Sequence, residues 1–307
     1  MPDVGHHEWV RKAVAVPLSM FGLGLAGLGY ASVVERNWFR LRRFDVPVLE
    51  RGQRPVRILH LSDLHLTPRR SMLITWVRSL GELKPDLVVN TGDSIAHPDA
   101  VPALLHALEP LLSRPGLFVY GSNDLYAPKP KNPARYLWRT SKNERRQHVP
   151  NLPWEELGAG MAAEGWLDMN NTTARIKVGD LDVAVAGIHD SHISRDRYDL
   201  VAGPAPADAD LRLGVMHSPE PRNMSLFAAD GYQLLLAGHT HGGQLCVPFY
   251  GALVTNCGID RARVKGLSRH DGSWLHVSAG LGTSPYAPAR FACFPEASLL
   301  TLVPRRA

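Results

Sequence analysis

Three short apolar runs in the first half of this 307-residue chain each end in a small polar cluster, and that arrangement limits the fold more than any other feature. Residues 56–61 run into Ser62-Asp63-Leu64-His65, residues 86–89 into Asn90-Thr91-Gly92-Asp93, and residues 116–120 into Gly121-Ser122-Asn123-Asp124. Helical periodicity fills the gaps, at 70–82 and 101–112. Strands alternating with helices imply βαβ units, and such sheets gather their ligands at the carboxyl ends of the strands.

The second half changes character, with short strands at 174–178, 182–186, 212–216, 233–237, 274–278 and 298–303 and one helix at 222–229. With 45% hydrophobic residues the chain can bury a large core. The expectation is an α/β fold in one domain over 56–307: a four-layer αββα sandwich of two mixed sheets flanked by helices. Between the halves, 125–148 is too long for an ordinary connection and reads as a basic lid. It sets Lys129, Lys131, Arg135, Arg139, Lys142, Arg145 and Arg146 against Glu144 alone, with Tyr126, Tyr136 and Trp138 between them. Such a segment is either a solvated loop or a clamp for a phosphorylated head group or an anionic bilayer.

Twenty-two residues, 13–34, carry no charge, about the length that crosses a hydrocarbon core as a helix. Residues 1–35 are therefore expected to hold a single-pass anchor helix, with 36–55 as a linker. Arg11 and Lys12 precede the run while Arg36, Arg40, Arg42, Arg43 and Arg51 follow it, which favours a catalytic domain on the cytoplasmic side of the cell membrane. Gly29-Tyr30-Ala31 has the small residues of a signal-peptidase site, so a secreted protein is the alternative. Gly22, Gly24 and Gly27 spell a dinucleotide fingerprint but follow no strand. Cys246, Cys257 and Cys293 lack the spacing of a zinc knuckle or disulfide framework. A net charge of +5 without a helix-turn-helix, zinc finger or stacking platform makes no case for nucleic acid.

Asp63 and His65 occupy alternate positions, so both can point to one side of the sheet. Asp93, Asn123, His217, His239 and His241 each follow an apolar run in the same way, and seven ligands of one metal-binding chemistry converge on one edge. Gly92, Gly121 and Gly238 sit where tight turns would lift these ligands off their strands. Imidazoles with carboxylate and amide oxygens suit Mn, Fe, Zn or Co better than a thiolate-bound metal.

The order D-x-H, G-D, G-S-N-D, a lone His and G-H-x-H resembles the calcineurin-like metallophosphoesterases, whose third block reads G-N-H, over about 56–304. Gly238 to Gln244 reads G-H-T-H-G-G-Q, similar to a membrane-associated phosphodiesterase branch of that superfamily. The resemblance implies two divalent ions, manganese foremost. Asp63, His65 and His241 would hold one, Asn123, His217 and His239 the other, and Asp93 would bridge them. It also implies hydrolysis of a phosphate ester or diphosphate by a metal-activated bridging water, with no protein nucleophile. Ser62, Ser94 and Ser122 then read as turn or supporting residues.

One position departs from the family pattern. Asp124 stands where the resemblance calls for the histidine that protonates the leaving group. Either Asp124 or His192 would serve as acid, His189 being a further candidate, or the leaving group needs little protonation. The expected function is a membrane-associated phosphodiesterase or pyrophosphatase acting on a lipid-linked substrate. A phosphomonoesterase or protein phosphatase is the enzymatic alternative, and a non-catalytic metal-binding scaffold the other.

Overall fold

The computed structural model describes residues 22, 24–130 and 149–305. In chain order the main elements begin with β1 (Arg40–Leu49), β2 (Val56–Leu61), α1 (Ser71–Ser79), β3 (Leu87–Asn90), α2 (Val101–Leu112), β4 (Gly116–Phe118) and α3 (Ser122–Leu125). They continue with α4 (Trp154–Ala163), β5 (Leu167–Asp168), β6 (Thr172–Val178), β7 (Leu181–Gly187), β8 (Leu211–Val215), α5 (Pro221–Ala229) and β9 (Leu234–Ala237). Then come β10 (Cys246–Val247), β11 (Gly251–Ala252), β12 (Gly266–His270), β13 (Ser273–Val277) and β14 (Glu296–Pro304).

Two six-stranded sheets form, in the orders β1-β14-β2-β3-β4-β5 and β12-β13-β9-β8-β7-β6. Both are mixed. In the first, β2 to β5 run parallel and β14 pairs antiparallel to β2; in the second, β13, β9, β8 and β7 run parallel between the antiparallel edges β12 and β6. The parallel strands all bring their carboxyl ends to one side.

Period-two alternation explains the layers. In β2, Ile58 joins a buried cluster with Val183, Leu213 and Leu236 of the facing sheet, while Leu59 and Leu61 turn the other way onto Leu73, Val77 and Leu104 of the helices. Leu235 and Leu275 likewise turn outward onto Met224 and Phe227 of α5. Three apolar seams thus separate four layers, α, β, β and α, and each fully buried Leu or Val contributes about 1.5–3 kcal/mol.

The expected linker, 36–55, instead contains a strand. β1 pairs parallel with β14 from Arg40↔Glu296 onward. Its Arg-rich first half is partly exposed and its Val46, Val48 and Leu49 are buried, a pattern an edge strand permits, Pro47 included. Of the expected anchor, residues 13–21 and 23 lie outside the described residues. Its described end forms the turns Tyr30–Val34 and Glu35–Asn37, which dock on the domain. The Arg290 amide donates to Ala31 O at 3.0 Å and the Cys293 amide to Glu35 Oε1 at 2.6 Å. Among the described residues no helix is long and apolar enough to cross a membrane. Most of the expected lid, 131–148, is also outside them.

Candidate metal centre

The polar clusters leave their strands in an unusual backbone conformation. Asp63, His65, Asp93, His239 and His241 all have positive φ, at 50°, 41°, 53°, 69° and 50°. A non-glycine residue pays about 1 kcal/mol or more for each such conformation. Cross-strand hydrogen bonds hold them there: Asp63 N–H to Gly92 O at 2.8 Å, His65 N–H to Asp93 O at 2.9 Å, and His239 N–H to the Asp63 carboxylate at 2.9 Å. Gly92, at φ +92°, lets the Asp93 loop meet the Asn123 loop, since a Cβ there would lie 2.4 Å from Gly121 N. Gly121 is needed for space alone, its Cβ position falling 2.2 Å from Asp93 Oδ1.

All seven expected ligands are joined by direct side-chain contacts, Asn123 through Asp93. Ligand atoms of Asp63, His65, Asp93 and His241 lie within 4.8 Å of one another. Asp93 Oδ2 stands 3.4 Å from His65 Nε2 and 3.6 Å from His217 Nε2, and it accepts the Asn123 side-chain amide at 2.7 Å.

Imidazole nitrogens confront each other in two places, His65 Nε2 with His241 Nε2 at 3.0 Å and His217 Nε2 with His239 Nδ1 at 3.2 Å. His217 directs its other nitrogen to Thr91 O at 2.7 Å, and His239 its own to Asn256 O at 3.4 Å. That leaves a lone pair on each inward nitrogen, as a metal ligand requires. Asp63 Oδ1 and His65 Nδ1 are buried without a hydrogen-bond partner. Facing lone pairs and an unpaired carboxylate oxygen fit divalent cations.

The electrostatics agree. Burial opposes charge on every member, yet His217, foremost among its neighbours, holds the Asp93 carboxylate well below the usual range. Burial pushes His217 the other way, but Asp93 and Asp190 win and raise it well above an ordinary imidazole. His239 and His241 are driven well below theirs, by burial first and by neighbouring cationic groups second. The clustered carboxylates thus favour positive charge between them, the charge a metal cation would supply.

Asp124 is placed differently from the acid it was expected to be. It is fully buried, and its carboxylate accepts four backbone N–H groups: Oδ2 from Asp93 at 2.8 Å and Gly121 at 2.9 Å, Oδ1 from Ser94 at 2.7 Å and Ile95 at 3.2 Å. Burial, followed by Asp93, raises its pKa to about 7 while the amides of Gly121 and Ser94 oppose the rise. With both oxygens committed to the backbone, the side chain fastens two ligand loops together and presents nothing to a substrate. His192 is exposed, its ring 4.7 Å from that of His239, and Asp190 Oδ1 fixes its backbone N–H at 2.8 Å. His189 is buried, driven down to about 3 by burial and then Arg195, and its Nδ1 accepts the Asp190 amide.

Two supports carried no recognisable sequence signature. Arg290, fully buried, donates to the carbonyls of Ala279, Gly280 and Gly282 at 2.8, 3.1 and 2.8 Å and to His241 O at 3.3 Å, bracing the loop behind a ligand. A polar chain also crosses between the sheets. Asp63 only accepts, so Ser62 donates to it at 2.6 Å, Thr91 to Ser62 at 2.7 Å, His60 Nε2 to Thr91 at 2.9 Å and His276 Nδ1 to His60 Nδ1 at 2.8 Å. Each neutral histidine supplies the single proton this sequence of donors needs.

Residues 56–243 match the model of the calcineurin-like phosphoesterase family. The chain is 26% identical to the uncharacterized metallophosphoesterase YkuE of Bacillus subtilis (strain 168), over 90% of each chain. It is 28% identical to phosphodiesterase YaeI of Escherichia coli (strain K12), over 91% of this chain and 93% of that one. A transmembrane protein with metallophosphoesterase domain from Bos taurus is 28% identical over 66% of this chain and 44% of its own length. With its ligand set gathered at the carboxyl edges of two facing sheets, the chain belongs to the calcineurin-like metallophosphoesterases, enzymes that use divalent metals.

Proposed function

We propose that this metallophosphoesterase is a membrane-associated phosphodiesterase or pyrophosphatase. The observation that carries the reading is the position of Asp93 Oδ2 between His65 and His217, a carboxylate oxygen shared by two ligand groups. Asp63, His65 and His241 would hold one divalent cation and Asn123, His217 and His239 the other, with Asp93 common to both. A half-turn of the Asn123 amide offers its oxygen in place of its nitrogen. Two such cations, when bound, polarise phosphoryl oxygens and lower the pKa of water.

The protein residues do the remaining work. His192, exposed beside His239, would supply the proton for a leaving oxygen, while Asp124 keeps the Asp93 and Asn123 loops in register. Arg290 is committed to carbonyl oxygens, so its guanidinium is not spent on clamping the dianion of a monoester. A diester or diphosphate monoanion asks less of such a site. The membrane part of the reading rests on the uncharged run 13–34. A bis-aryl phosphodiester, an aryl monoester and a nucleoside-diphospho-sugar, compared with manganese under one set of conditions, test the reaction class. Turnover of the diester or diphosphate should exceed that of the monoester at least tenfold; the reverse order would make the chain a phosphomonoesterase.

A further inference from the structure

The segment that follows the G-H-T-H-G-G-Q motif carries apolar side chains that the fold leaves in water. Strands β10 and β11 pair as a short hairpin, Cys246↔Ala252 and Val247↔Gly251. Phe249 at its tip is wholly exposed and has φ +65°, a conformation that a bulky side chain rarely adopts. Leu245, Val247, Tyr250 and Leu253 are 50%, 43%, 61% and 50% exposed. Packing explains none of these exposures, and clustered exposed apolar side chains mark a surface that meets a partner.

Two observations identify the partner. The first is where the uncharged run 13–34 reaches the domain. Tyr30 meets Phe291 edge-on at 6.3 Å, and Phe291 in turn pairs with the hairpin's base, accepting the Cys246 amide at 2.8 Å and donating to Gln244 O at 3.0 Å. The described end of the run and the base of the hairpin therefore meet at Phe291. The second is charge. Residues 241–259 and 272–295 contain no Asp or Glu, whereas Arg261, exposed, lies over the Tyr250 ring at 5.0 Å, with Lys265 exposed nearby in sequence. Aromatic and aliphatic side chains fringed by basic ones match the boundary between acyl chains and anionic head groups.

We infer that the 245–253 hairpin dips into the surface of an anionic phospholipid bilayer. It would hold the mouth of the metal centre against the head groups, His241 lying just before the hairpin and Asn256, which accepts from His239, just after. The inference rests on the membrane half of the proposed function and selects phosphate esters of membrane lipids as substrates.

The test uses the full chain reconstituted with vesicles of phosphatidylcholine and phosphatidylglycerol, with and without bromine on the acyl chains. Phe249→Trp keeps an aromatic side chain at the tip, and Asp180→Trp places one in the β6–β7 turn, at the opposite ends of the strands from the metal centre. Hydrolysis of a soluble diester reports that both variants are folded, independently of any membrane. Relative to the parent chain, the added fluorescence at position 249 should fall at least twofold with brominated lipid while that at 180 is unchanged. Equal quenching at the two positions would overturn the inference while leaving the anchor reading intact. Failure of the chain to float with vesicles would overturn both and leave the hydrolase reading standing. Dimerisation abolished by Phe249→Ala would assign the hairpin to a second copy instead.

Discussion

The Asp124 carboxylate accepts the backbone N–H of Asp93 at 2.8 Å, so a residue expected from the sequence to serve as acid fastens a loop of the metal centre. Asp124→Asn replaces one accepting oxygen by a donor and leaves two of the four amides without a partner. At about 1–3 kcal/mol for each buried amide so orphaned, stability should fall by about 2–6 kcal/mol. Thermal denaturation of the metal-free chain measures this. Surviving activity should keep its pH profile; a stable variant that loses only the acid-dependent part of that profile would restore Asp124 as the acid.

His192 is proposed to supply the proton for the leaving group. His192→Ala should therefore depend on the substrate, slowing alkyl-leaving diesters by about 100-fold or more. Nitrophenyl diesters, whose leaving group is already acidic, should lose only a few-fold. A uniform loss across a leaving-group series would place His192 in binding rather than proton transfer.

Gly121→Ala brings a methyl group 2.2 Å from Asp93 Oδ1, in a place hemmed by His217 as well. Either the shared carboxylate or the Asn123 loop must move. Metal affinity should drop by at least tenfold, measured by competition with a chromogenic chelator. An unchanged affinity would show that the two loops can separate without disturbing the ligands.

Burial holds His276 down at about 3 and His60, for the same reason and through His276, well below an ordinary imidazole. Both folded values lie below the unfolded one near 6.5, so the stability they allow is complete above pH 6.5 and is lost as pH falls below it, for His276 down to about 3. His276 costs about 1.4 kcal/mol for every pH unit below 6.5 within its window. A second proton on His60, at Nδ1, would meet the proton that His276 donates there and break the donor sequence ending on Asp63, while one on His276 Nε2 would find no acceptor. Chemical denaturation between pH 7 and pH 5 should show the decline, and His276→Leu should make it shallower.

Much of this architecture was legible in the residues, and the exceptions have physical reasons. Central strands buried on both faces, such as β9 at Leu234–Ala237, read as apolar runs because a polar side chain there would need a buried partner. The edge strand β1 escaped because half its side chains face water, so Arg40, Arg42 and Arg43 looked like a linker. Helix α4 carries Gly158 and Gly160, which weaken its periodicity, yet Gly158 is there because a Cβ would collide with the Tyr120 hydroxyl. Six of the expected ligands were visible because each sits at a strand end within two residues of a glycine or of another of the set; His217, between Met216 and Ser218, had only its strand end to mark it. Arg290 was not, since a lone arginine in a Pro- and Ala-rich loop gives no hint that its partners are backbone carbonyls. The identity of Asp124 was plain in the sequence, but its role depends on four amides from two loops that only the fold brings together.

The central claim is a two-cation centre shared through Asp93. Equilibrium dialysis of the metal-stripped full chain against manganese, read by elemental analysis, tests it most directly. The account predicts two ions per chain, with Asp93→Asn losing the second and weakening the first at least tenfold. One ion per chain, or an Asp93→Asn variant that still takes up two with unchanged affinity, would contradict it.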